Sequence, residues 1–173
     1  MALTLYTATV PSYRQILGAV AGLLNSAQTF CAERQLASEQ LLEARLASDM
    51  LPFAYQVRAT STHSIGAIEG LRRGTFSPDR SAPPASFAAL ERLVAETDAA
   101  LAALDPAELE QLAGRDMLFV AGERRLPFTG ENFLLSFSQP NFYFHATTAY
   151  DILRAQGVPI GKRDFIGALR LKT

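Results

Sequence analysis

Residues 140–158 read PNFYFHATTAYDILRAQGV and predict a helix from about residue 139 to residue 156. Gly157 and Pro159 end this helix, because glycine readily takes the left-handed backbone that follows a helix and proline cannot continue one. Apolar and small residues recur along the segment at spacings of four, three and four, which is typical of one buried face. That face consists of Phe142, Ala146, Ala149 and Leu153.

Two long helical patterns lie near the start of the chain. The first begins near Pro11 and covers residues 11–34, with apolar residues at alternating spacings of four and three. The second covers residues 38–72 and is followed by Gly74, a typical helix terminator. Because Pro52 lacks a backbone donor, we expect a kink or a short break near Ser48.

The middle of the chain predicts one more long helix and a hairpin. Residues 75–86 hold three prolines and predict a surface loop. The third long helix covers residues 87–104, after which Asp105 can cap a short helix. Residues 115–128 predict a small irregular hairpin. The tail, residues 160–173, is apolar enough to dock on the helices through Phe165, Ile166, Leu169 and Leu171.

These four long amphipathic helices, with little strand, favour an all-α four-helix bundle. An all-α array of another topology is the alternative, because periodicity does not determine connectivity. The length of 173 residues predicts a single domain, residues 1–173.

Composition excludes several classes of partner. The formal net charge of −1 and the scattered arginines do not favour nucleic acid or an anionic membrane. No apolar run approaches the length of a membrane span, and the first residues do not resemble a signal peptide. The single cysteine, Cys31, lies on an apolar face and predicts a buried structural thiol. We therefore expect a cytoplasmic protein.

The polar residues that border the buried faces suggest a ligand pocket. On the helix of residues 139–156, His145 lies beside the apolar face, with Asn141 one turn before it, and Tyr150 borders the other side. On the second helical pattern, Gln56, Thr60 and His63 follow one edge. If these two helices are adjacent, their polar edges line one cavity, which is a normal small-molecule site in a bundle.

A purely structural interpretation competes with this one. A histidine at the edge of an apolar face is more often a structural residue than a catalyst. Buried serine and threonine residues commonly hydrogen-bond the carbonyl one turn back. Nothing in the chain has the spacing of a phosphate loop or of a zinc site with paired cysteines and histidines.

Two motifs resemble a known family. The segment of residues 140–150, followed by Leu153-Arg154 and by residues 157–162 (GVPIGK), is similar to the C-terminal signature of a bacterial and fungal family. That family is a numbered domain of unknown function within the DinB-like superfamily. Residues 44–52 (ARLASDMLP), with Gln56-Val57, resemble its second-helix signature, so the likeness covers nearly the whole chain.

The resemblance implies a four-helix bundle with up-down-down-up topology, often dimeric. DinB-like relatives commonly bind a divalent metal through three histidines, and some are thiol-dependent transferases or isomerases. This chain departs from that pattern because His63 and His145 are its only histidines. Matching the helix ends places the relatives' paired ligands near Tyr143 and Thr147, neither of which is a usual metal ligand. We therefore predict no metal and no other cofactor.

Three functional hypotheses remain. The first is a metal-free small-molecule-binding protein or degenerate enzyme that uses Gln56, Thr60, His63, Asn141, His145 and Tyr150. The second is an enzyme with an atypical site, metal- or thiol-dependent or with a histidine as general base. The third is a homodimeric structural or interaction protein. Phe144, on the face opposite the apolar one, favours an interface.

Overall fold

The computed structural model describes residues 3–172, which are mostly helical with one small three-stranded sheet. The helices are α1 Leu5–Arg34, α2 Ser38–Leu42, α3 Phe53–Thr62, α4 Ile65–Arg73, α5 Phe87–Ala102, α6 Pro106–Leu112, α7 Gly130–Asn132, α8 Gln139–Ala155 and α9 Lys162–Ile166. The strands are β1 Thr75–Phe76, β2 Asp116–Ala121 and β3 Arg124–Thr129. No helix in the described range is long and apolar enough to cross a membrane.

Helix α1 begins six residues before the predicted start at Pro11, since its first residue is Leu5. The Thr4 N–H donates to Thr7 Oγ1, and the Thr7 N–H donates to Thr4 Oγ1, which forms a reciprocal cap. The carboxylate of Glu110 accepts from two further N–H groups of the first turn. These bonds satisfy the N-terminal donors of a helix that continues through Pro11.

The second helical pattern is broken twice, whereas one kink or short break, near Ser48, was expected. Residues 43–52 separate α2 from α3 without a long helix, and Pro52 directly precedes α3. A second break at His63 and Ser64 separates α3 from α4. There the Ser64 hydroxyl donates to the Thr60 carbonyl at 2.7 Å, so a side chain takes an acceptor that a continuous helix would use. Gly74 ends α4 with a φ of 75°, as predicted.

The predicted hairpin is present and belongs to a larger sheet. β2 and β3 pair antiparallel from Asp116–Thr129 to Ala121–Arg124. β1, which lies at the start of the expected surface loop, pairs parallel with β2 through Thr75–Leu118 and Phe76–Phe119. A strand of two residues shows no periodicity, so only its tertiary pairing reveals it. The predicted short helix after Asp105 is α6, and the Asp105 carboxylate accepts from the Ala107 N–H.

The first and last residues of the last long helix match the prediction, but the segment that precedes it does not. α8 spans Gln139–Ala155, and Gly157 follows it with a φ of 86°. Residues 133–138 form a π-helical segment that leads into α8 and was not predicted.

Four of the helices pack on one another in pairs. α1 packs against α5 and α8, and α3 packs against the same two helices. The largest fully buried side chains include Tyr13, Phe53, Phe133 and Phe142. α9 packs on α1 as the tail was expected to, and Arg170 beyond it donates to the Ser12 hydroxyl, but Leu169 and Leu171 are exposed.

Candidate functional site

The two histidines of the chain lie against each other at the α3–α8 contact. His63 is the residue that follows α3, and His145 lies in the middle of α8. Their ring centroids are 5.5 Å apart and their planes differ by 17°, so the rings are stacked. The predicted proximity of these residues on facing elements is therefore confirmed.

Gln56 determines the orientation and tautomer of His145. The Gln56 side-chain amide donates from Nε2 to the Leu51 carbonyl at 2.8 Å, so its Oε1 is free to accept. That oxygen lies 2.7 Å from His145 Nδ1. Because an amide oxygen only accepts, Nδ1 of the neutral imidazole carries the proton and Nε2 keeps its lone pair.

Burial keeps both imidazoles neutral. Loss of solvent around His63, reinforced by the neighbouring His145, lowers the pKa of His63 from 6.5 to about 3. Loss of solvent alone lowers the pKa of His145 to about 4. His63 also packs against the rings of Phe76 and Phe137, which exclude water. Its Nδ1 is buried and has no hydrogen-bond partner among the residues described.

The other predicted pocket residues have different surroundings. The Thr60 hydroxyl donates to the Val57 carbonyl at 2.7 Å, and the Asn141 amide donates to the Phe137 carbonyl at 2.7 Å, both within one turn of backbone. These bonds match the structural interpretation. The Tyr150 ring packs on Phe165 of α9, and it is not part of the histidine cluster.

A cavity of about 540 Å³ lies next to this cluster rather than inside it. Its walls come from the irregular segment before α3, the first turns of α3 and the loop of residues 78–83. The lining residues are Glu43, Arg45, Leu51, Pro52, Tyr55, Arg58, Pro78, Asp79, Arg80, Ser81 and Pro83. None of the six residues predicted from the sequence lines this cavity.

Arg58 organises the cavity and was not identified by the sequence patterns. It is only 6% exposed. Its guanidinium donates to the carbonyls of Asp79 and Ser81, lies 3.6 Å from the Asp79 carboxylate and stacks over the Tyr55 ring at 4.8 Å. An arginine between Val57 and Ala59 is the sequence signal that could have identified it.

Tyr55 connects the cavity to the histidines. Its side chain lines the cavity, and its ring meets the His145 ring edge-to-face with centroids 5.9 Å apart. A narrow cleft of about 20 Å³ also joins Tyr55 and Arg58 to His63. The histidine pair therefore lies one side chain behind the cavity wall.

The residues of this site do not fit the three-histidine metal centre of DinB-like proteins. In the range 3–172, no group of three histidine, cysteine, aspartate or glutamate side chains could hold a metal ion. Tyr143 and Thr147, the positions matched to the relatives' paired ligands, supply no imidazole. The lone pair of an imidazole lies in its ring plane, so two stacked rings do not direct their lone pairs to one point.

Comparison with known proteins identifies relatives of unknown activity. The model of a domain of unknown function (DUF1993) matches residues 5–166. The crystal structure of a DinB family member protein from Shewanella denitrificans is similar to this chain, with a TM-score of 0.84 and 27% sequence identity over 98% of this chain and 95% of that chain. No curated protein matches. The resemblance to a DinB-like family is confirmed.

Proposed function

We propose that this chain, which belongs to the DUF1993 family of domains of unknown function, binds a small organic molecule in its 540 Å³ cavity without a metal ion. The observation that carries the proposal is the position of this cavity, which is separated from the neutral histidine pair only by Tyr55. A volume of this size is normal for a small-molecule site.

The composition of the wall supports a ligand. Leu51 lines the cavity and is 46% exposed, so part of an apolar side chain faces solvent unless a ligand covers it. The backbone on both sides is constrained, because Pro52, Pro78 and Pro83 contribute to the wall. A constrained cavity loses less conformational entropy when it binds a ligand than a mobile one does.

A matched pair of leucines tests the binding site. Leu46 and Leu51 lie in the same irregular segment and are 45% and 46% exposed, but only Leu51 lines the cavity. Compounds that raise the melting temperature of the native chain should do so by binding the folded state. Leu51→Trp places an indole ring in the cavity and should abolish the increase, whereas Leu46→Trp should retain it. Loss of the increase in both variants, or in neither, contradicts the proposed site.

Metal independence is tested on the same preparation. We expect elemental analysis of the untagged, dialysed protein to find no stoichiometric transition metal. A site formed by only two histidines should release its ion on dialysis. About one tightly held zinc or nickel per chain would overturn the metal-free part of the proposal and would favour a metal-dependent enzyme.

General-base catalysis is a second candidate function. The hydrogen bond that His145 Nδ1 donates to Gln56 Oε1 leaves His145 Nε2 unprotonated. The lowered pKa of His145 keeps the ring neutral at neutral pH. In this case a bound compound should be converted by the native protein, while His145→Asn should bind it without conversion. Conversion that survives in His145→Asn rules out this role.

We further propose that α1, α5, α3 and α8 form the up-down-down-up bundle of DinB-like proteins. Each of these helices packs on two of the others, which supports a closed four-helix arrangement.

We also propose that the chain is a cytoplasmic homodimer. Phe144 on α8 is 55% exposed, as the helical periodicity predicted, which supports an interface on that face. A dimer whose surface is itself the function is the alternative to ligand binding.

A further inference from the structure

We infer that the ligand of the cavity is an amphipathic organic anion, with an aromatic or alicyclic body and one carboxylate, sulfonate or phosphate group. This inference rests on the proposed function, because it names the chemical class that the cavity would take. It follows from the distribution of charged and apolar groups along the wall.

The charged groups of the wall leave positive charge available. Three arginines, Arg45, Arg58 and Arg80, line the cavity, together with Glu43 and Asp79. Asp79 is already engaged, since it lies 3.6 Å from the Arg58 guanidinium and accepts from the Ser81 N–H. Within residues 3–172, no carboxylate lies within ion-pair distance of Arg45 or Arg80. Arg45 donates to the Met50 carbonyl but has no carboxylate partner among these residues. Three guanidinium groups against two carboxylates leave the wall with a net positive charge of one, which favours a negatively charged group.

Arg58 holds the inner side of the same wall in place. Its guanidinium contacts the two loop carbonyls and the Tyr55 ring. Its charge is shared with the Asp79 carboxylate, so the positive charge that a ligand would meet comes mainly from Arg45 and Arg80. The neighbouring histidines do not contribute positive charge, because both are neutral at physiological pH.

The remaining wall fits an apolar body. Leu51 and the ring of Tyr55 provide apolar surface, and three prolines extend it. Contacts with such surface stabilise an aromatic or alicyclic group but not inorganic phosphate. The combination of guanidinium groups and apolar surface therefore favours an anion that also carries a ring.

Two dyes that differ only by a sulfonate group test this inference. Anilinonaphthalenesulfonate carries a sulfonate, whereas phenylnaphthylamine has the same aromatic body without one. We expect fluorescence titration to show that the native chain binds the sulfonate about tenfold more tightly than the neutral dye, and less tightly as salt rises. Arg45→Gln and Arg80→Gln should each weaken the sulfonate about three- to tenfold and leave the neutral dye unchanged. Arg125→Gln, on the exposed hairpin outside the cavity wall, is the control.

The outcomes separate this inference from the proposed function. Equal affinity for both dyes, with binding of each lost in Leu51→Trp, would overturn the anion inference and leave the small-molecule site intact. Preference for the sulfonate that persists unchanged in Arg45→Gln and Arg80→Gln would overturn it as well. Failure of both dyes to bind at the cavity would overturn both proposals.

Discussion

The α1–α5 interface and the α3–α8 interface differ in the polarity of the side chains that they contain. Between α1 and α5 the shared surface is apolar, with Leu17 and Val94, and its charged pair, Arg14–Asp98, lies in solvent at the rim. Between α3 and α8 the structure buries Gln56 and half-buries both histidines instead. The apolar α1–α5 interface, with its charged pair in solvent, is typical of helix contacts that stabilise a fold.

The second arrangement sacrifices stability. An imidazole nitrogen of His63 is buried without a hydrogen-bond partner in the described part of the chain, which costs about 1–3 kcal/mol relative to a satisfied group. Such costs are common at functional sites, and here they lie beside the cavity. The difference between the two interfaces supports the proposal that the ligand site lies on the α3 side of the bundle.

The largest expected effect on stability comes from Arg58 on α3, and Arg14 on α1 provides the comparison. Arg58→Met removes donors from the carbonyls of Asp79 and Ser81 and should lower the free energy of unfolding by about 2–4 kcal/mol. Arg14→Met breaks an exposed ion pair and should cost less than about 1 kcal/mol. Urea denaturation measures both. Equal losses would mean that Arg58 does not organise the loop.

An effect of comparable size is expected from pH on the α3–α8 side, which holds both histidines. Their folded-state pKa values are lowered, so the stabilisation is full above pH 6.5 and is lost as pH falls toward about 4 and about 3. Between pH 6.5 and 5 the native chain should lose up to roughly 1.4 kcal/mol per pH unit for each histidine.

The variant His63→Phe/His145→Gln should show a flatter dependence of unfolding free energy on pH in that range. Restricting the comparison to pH above 5 keeps most carboxylates ionised in both states. If the native chain and the double variant lose stability in parallel, the two imidazoles are not buried neutral groups.

The smallest effect on stability is expected on the outer face of α8. Phe144→Glu should change the free energy of unfolding of the monomer by less than about 0.5 kcal/mol, because the side chain is exposed. It should nevertheless weaken the homodimer, as measured by light scattering at micromolar concentration. Ala100→Glu, at an exposed position of α5, should leave the assembly unchanged. A monomeric native protein would contradict the dimer, and unfolding of Phe144→Glu would place that ring in the core.

Helical periodicity predicted the parts of this molecule that repeat. The faces of α5 and α8 and the exposure of Phe144 follow from residue spacing. The cap at Asp105 follows from its residue type, and the proximity of His63 and His145 was expected on the condition that their helices are adjacent. Two features that depend on local hydrogen bonds were missed. The start of α1 at Leu5 depends on the reciprocal cap, and the second break depends on the Ser64 hydroxyl.

The candidate site was predicted only in part, for a related reason. Gln56, His63 and His145 lie together, but the cavity is built from residues 43–52 and 78–83, whose irregular backbone has no period. Thr60 and Asn141 satisfy carbonyls of their own helical turns, and a helical wheel cannot distinguish that use from a ligand contact. The sulfonate and leucine tests are therefore directed at the loop side of the site.

The parallel pairing of β1 with β2 has a kinetic consequence. The Leu118 N–H donates to the Gly74 carbonyl at 3.0 Å, and this bond closes a long stretch of chain that includes the loop of residues 78–83. Contacts between residues distant in sequence cost more loop-closure entropy and tend to form late. The loop of residues 78–83, which forms one wall of the cavity, should thus be ordered last during folding and open first in the native state. Hydrogen exchange at Leu118 faster than in α1 and α8 would reveal such an opening, which is also a route by which a ligand enters.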